Sequence, residues 1–123
     1  MIQWSELEWN AEKFVARDGK VVTFTTARID PEELLPEVDN QYQQWDVVRV
    51  EIERFAKNTK LSFTAWRDMG ETDYETMLPD FYEQRIVWQR LPNDEAARRG
   101  DQLLNEFAVA IENWLERQNS VSA

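Results

Sequence analysis

The side chains of this chain that could carry chemistry are carboxylates. Twenty-four Asp and Glu stand against 14 Lys and Arg, for a formal net charge of -10, and there is neither Cys nor His. Without those two residues there is no thiolate nucleophile, no disulfide, no Cys or His zinc site and no imidazole base. Paired carboxylates remain, and their acid and base roles require two pKa values pushed apart by burial or proximity, as in glycoside hydrolysis. No pair stands out in the acid-rich segments. Glu71, Asp73 and Glu75 alternate as hard oxygen donors for a divalent cation could. The calcium loop they would belong to needs Gly at its sixth place and Glu at its twelfth, where Thr76 and Tyr82 stand. The four Ser (5, 62, 120 and 122) have no His to activate them and no glycine-flanked elbow. Three Gly are too few for a phosphate-cradling loop. The expectation is a non-enzymatic chain with no cofactor and no metal site.

Composition narrows the class further. A chain of 123 residues, 42% hydrophobic with six Trp and six Phe, is expected to form one domain with a real core. Its acidity disfavours nucleic acid, whose binding depends on basic contacts to phosphate, and equally an anionic membrane surface. The N-terminal MIQWSELEWN carries acids where a signal peptide has a basic region, and no apolar run approaches the ~18 residues of a membrane span. A cytoplasmic location is expected.

One element has an unambiguous period. From Asp101 to Gln118, Leu103, Leu104, Phe107, Ala108, Ala110, Ile111, Trp114 and Leu115 fall on one arc of a helix, and Glu106, Glu112, Asn113, Glu116 and Arg117 fill the rest. Such a helix needs an apolar surface to lie on. Upstream, Asp18-Gly19 between two β-rich runs predicts a hairpin with a two-residue turn and strands at 12–17 and 20–29. VVRVEIERF predicts a strand at 47–56, since Val48, Val50 and Ile52 alternate with Arg49, Glu51 and Glu53. Trp45, Val48, Ile52, Phe55 and Ala56 also fit a helical face, so the strand rests on β-branched content. LSFTAWR at 61–67 places Leu61, Phe63 and Ala65 opposite Ser62, Thr64 and Trp66, and QRIVWQRL at 84–91 reads as a fifth strand.

The connections complete the pattern. Ser5 is expected to cap a brief helix carrying Leu7 and Trp9, and Pro31 to open a short helix that Pro36 interrupts. Residues 68–83 read as a long connection with a helical turn at Tyr74–Leu78. Asn93 caps a short helix, Gly100 breaks it, Asp101 caps the main helix, and residues 118–123 fray. The fold class is α+β: a mostly antiparallel sheet of about five strands packed against the C-terminal amphipathic helix.

An up-and-down strand order sends the connections alternately to two poles. Asp30, Glu32, Glu33, Glu37, Asp39 and Asp46 belong to one pole with Asp68, Glu71, Asp73, Glu75, Asp80 and Glu83, while Arg17, Lys20, Lys57, Lys60, Arg90, Arg98 and Arg99 flank the turns of the other. Like charges held together favour a compensating partner. The expected function is a protein-binding adaptor, chaperone-like or inhibitory module presenting an acidic rim to a basic protein through Glu32, Glu33, Glu37, Asp39, Glu71, Asp73 and Glu75. Trp66, facing away from Leu61 and Phe63, joins them if exposed with Tyr42, Tyr74 or Tyr82. A homodimer through open sheet edges is expected, and the alternative reading is a small-molecule pocket between sheet and helix.

Overall fold

The structure is a computed structural model that describes residues 1–35 and 45–122, with the backbone alone at 47, 48, 71–73, 79, 80 and 119–122. Five strands lie side by side in chain order: β1 (Asn10–Val15), β2 (Val21–Ile29), β3 (Asp46–Arg54), β4 (Asn58–Asp73) and β5 (Leu78–Pro92). Every neighbouring pair is antiparallel. The helices are α1 (Pro31–Leu34), α2 (Asn93–Arg98) and α3 (Gly100–Ser122), preceded by a 3-10 turn at Trp4–Glu6. This is the expected α+β arrangement of a sheet packed against the C-terminal helix.

Helix α3 explains why one face of the sheet is apolar. Its Leu103, Leu104, Phe107, Ala108, Ile111, Trp114 and Leu115 are buried, against Ala27, Ile29, Val50, Ile52, Leu61, Phe63 and Ala65 of the strands. Burying each large apolar side chain contributes about 1.5–3 kcal/mol relative to leaving it exposed. The 46–54 segment is a strand because alternation wins there: Val50 and Ile52 are fully buried while Glu51 and Arg49 face the other side in an ion pair. Its register shifts between Val47 and Arg49, a bulge near the start of β3.

Several local readings are corrected. Ser5 lies within the 3-10 turn, which Gln3 precedes, with the Gln3 N–H donating to the Glu6 carboxylate at 3.0 Å. The first hairpin turns through three residues, not two. Only Gly19 has a positive φ (83°), the Gly19 N–H reaches the Ala16 carbonyl, and the Asp18 carboxylate accepts the Lys20 N–H. Asn93 is the first residue of α2 and does not cap it. Its amide accepts the Thr59 hydroxyl at 2.7 Å and donates to the Phe55 carbonyl at 2.8 Å, clamping the β3–β4 turn to the helix. Asp101 lies inside α3 and accepts the Trp4 backbone N–H at 2.8 Å, tying the N-terminal segment down. Gly100 begins α3 and lies against the Trp4 ring, where a Cβ would overlap it. Helix α3 runs from Gly100 to Ser122.

The largest correction concerns residues 68–83. They form no connection with a helical turn but the outer part of β4 and β5, a hairpin whose turn contains Met77 at a φ of 58°. The first residue of β3, Asp46, pairs with Trp66, so β4 beyond Trp66 extends past β3, and among the described residues β5 is the strand that pairs with it. At ~3.3 Å per residue, the five β5 residues from Leu78 to Tyr82 make an arm projecting roughly 15–20 Å.

Candidate functional site: the β4–β5 arm

Both faces of the arm's foot are fixed by rings. On the helix side the Arg67 guanidinium lies between Trp45, 5.0 Å from the ring centre, and Tyr82, 5.3 Å away. Trp45 is buried and meets Trp114 at 5.1 Å, Trp114 meets Phe63 at 5.5 Å, and Phe63 meets Phe107 at 6.2 Å. A chain of aromatic contacts thus runs from the arm into the core. On the open side Trp66 packs edge-on against Phe81 with centroids 4.8 Å apart. Trp66 does face away from Leu61 and Phe63 as its alternation implies, but it is half-buried under Phe81 and acts as a strut.

Beyond the foot the arm is acidic and partly apolar. Met69, Tyr74, Met77, Leu78 and Phe81 are exposed, Tyr74 to 87% and Met77 to 71%. Asp68, Glu75 and Glu83 are exposed between them, and Asp68 also accepts the Gly70 N–H at 2.8 Å. Gly70, with a φ of 70°, sits where the β4–β5 register shifts between Asp68 and Thr72. A residue with a Cβ is strained at that φ, so glycine permits the bend.

The acids expected at this pole are distributed over two elements. Glu32 and Glu33 lie exposed in α1, beside the end of β2 from which the arm's pole is reached. Glu71 and Asp73 lie on β4 within the arm and Glu75 in its turn. Glu37 and Asp39 fall outside the described residues, as does Tyr42. The antiparallel order places the β2–β3 and β4–β5 connections at one end of the sheet and the Gly19 and Lys57 turns at the other.

Part of the remaining open face of the sheet carries a network of ion pairs. Glu51 is 3.3 Å from Arg28, 3.4 Å from Arg49 and 3.6 Å from Arg85, and Arg28 also meets Glu12 at 3.5 Å. Glu53 takes Lys60 at 3.4 Å and a close contact from Arg85, which also donates to the buried Ser62 hydroxyl at 3.2 Å. The alternation of 47–56 placed Glu51 and Glu53 together on one face, and that was the available signal.

Among the described residues no three metal-ligating side chains gather, and no helix is long and apolar enough to cross a membrane. Leu61, Phe63, Phe107, Ile111 and Trp114 are buried where the sheet meets helix α3. Hollows lined by described residues lie at the sheet's open face, around β1 and β2, and beside Met1 and Glu32. No family model, no curated protein and no solved structure matches the chain.

Proposed function

We propose that this chain is a non-enzymatic protein-binding module, of the adaptor or inhibitor type, that engages a basic partner through the β4–β5 arm. The observation that carries the reading is a hairpin projecting past its own sheet with apolar side chains exposed between carboxylates. An exposed paired ribbon with Tyr74, Met77 and Leu78 at its end offers apolar anchors of the kind that dominate interfaces. Asp68, Glu71, Asp73, Glu75, Asp80 and Glu83 against Arg67 alone give the segment a negative field that steers a basic surface toward it. Glu32 and Glu33 at the same pole extend that field.

The test is a binding measurement with the partner isolated from the native host. Replacing Glu71, Asp73 and Glu75 together by Lys reduces association by ~10-fold or more at low salt, and added salt weakens the native protein more than the variant. Unchanged affinity and unchanged salt dependence in the triple variant defeat the reading.

Self-association is favoured by one further feature. Among the described residues no strand neighbours the outer edge of β5 from Leu78 to Pro92, and such edges pair readily with a second copy. Sedimentation at micromolar concentration reports a dimer mass if the edges pair, and a mass of one chain removes this second reading.

A further inference from the structure

The open face of the sheet holds a hollow that the arm does not use. Phe24 and Phe55 stack with centroids 5.0 Å apart, and Phe14 meets Phe24 edge-on at 5.8 Å, so three rings form a continuous wall. Lys60, Arg85 and Arg90 line the same hollow, whose volume is about 460 Å³. That size lies within the ~300–1,000 Å³ range of small-molecule sites.

The charges in it do not balance. Glu53 is the acid lining it, is only 8% exposed, and is shared by Lys60 and Arg85. Arg85 is further held by Glu51 and Ser62. Arg90 is exposed and has no ion pair among the described residues. The register makes Lys60 and Arg90 direct cross-strand partners. Like charges directly opposite one another destabilise a sheet, and in a chain of net charge -10 this pair stands against the overall balance. An anion placed between the two removes the repulsion. The guanidinium of Arg90 presents a donor fork suited to a carboxylate or phosphate, with Lys60 adding a point charge.

We propose that this hollow binds a small aromatic anion, a flat ring carrying a carboxylate or phosphate head. The ring lies on the Phe24 and Phe55 wall, with Phe14 closing one side, and the head lies between Lys60 and Arg90. Lys60 already stands 5.6 Å from the centre of the Phe55 ring, so the anion head and the ring surface are within one small molecule's reach of each other. Arg85 is a positioning residue: its bonds to Glu53 and Ser62 fix the floor on which the ligand rests. The site lies on the sheet face and does not depend on the arm's reading.

The experiment is amide NMR titration of the full chain with 2-naphthoate and 2-naphthyl phosphate, beside neutral 2-naphthol and inorganic phosphate. Saturable shifts at residues 14, 24, 55, 60 and 90 are expected with the two aromatic anions, whose relative affinity identifies the head group. The neutral ring and inorganic phosphate each bind at least ~10-fold more weakly, because each forfeits one half of the recognition. Arg90→Gln weakens naphthoate binding by ~10-fold or more while the thermal midpoint of the unliganded protein stays level or rises, as expected when repulsion from Lys60 is removed. Absence of saturation at millimolar concentration, equal affinity for inorganic phosphate, or unchanged binding in Arg90→Gln overturns the proposal.

Discussion

The Arg67 guanidinium lies 5.0 Å from the centre of the Trp45 ring, and Trp45 in turn is buried against Trp114 of the terminal helix. This pair joins the projecting arm to the core. The Arg67 Nε is buried without a hydrogen-bond partner, so the rings, not polar bonds at that atom, hold the group in place. Arg67→Ala is therefore expected to cost about 1–2 kcal/mol, from the cation–π contacts and the buried aliphatic stem together. Hydrogen exchange should accelerate at residues 68–82 and remain unchanged in β2 and β3. Equal protection of the arm in both proteins would show that the rings do not anchor it.

Asn93 joins the β3–β4 turn to helix α2 with two hydrogen bonds at 2.7 and 2.8 Å. Thr59 is fully buried, so truncating Asn93 leaves its hydroxyl without that partner. Asn93→Ala is expected to lower unfolding stability by about 2–3 kcal/mol, read from a urea transition with unchanged slope. Asn93→Asp keeps the acceptor for Thr59 but sets a carboxylate oxygen against the Phe55 carbonyl in place of the donor, so it does not restore the native stability. A variant at Ala as stable as the native chain would contradict the clamp.

Gly100 and Trp4 form a coupled pair. A Cβ at Gly100 overlaps the Trp4 ring, whose own backbone N–H is held by Asp101. Gly100→Ala is expected to cost about 1–3 kcal/mol by overpacking and to shift tryptophan emission to the red as Trp4 is displaced. In a Trp4→Ala background the same substitution becomes neutral or slightly stabilising, since the obstruction is gone and Ala is the better helix former. Additive effects in the double variant would show that the two residues do not touch in solution.

The parts of the fold legible in the sequence are those where burial leaves a period. Leu103, Phe107, Ile111 and Trp114 recur on one helical face because that face lies on the sheet, and Val50 and Ile52 alternate with Glu51 and Glu53 because only one side of β3 is covered. The arm leaves no such trace. Its described residues from Tyr74 to Leu78 are exposed, DMGETDYETMLPDF shows no alternation, and its turn uses Met77 at positive φ in place of the usual Gly or Asn. Short polar side chains suit caps, but tertiary partners took Asn93 and Asp101, while Ser5 lies inside a turn that Gln3 precedes. Of the candidate site, strand order puts the segments that carry Glu32, Glu33, Glu71, Asp73 and Glu75 at one end of the sheet. The Lys60–Arg90 opposition does not follow from strand order, because it depends on a register that shifts between Leu61 and Ser62.

The arm's role as the docking element is tested most directly by photo-crosslinking from defined positions in the native host. A photoreactive residue at Tyr74, 87% exposed at the arm's turn, is compared with one at Val21, 59% exposed beside the opposite hairpin. The account predicts that one basic partner is captured from position 74 and not from position 21, and that the Glu71, Asp73 and Glu75 reversal to Lys abolishes the capture. Capture from position 21 alone, or capture from position 74 that survives the reversal, would contradict it.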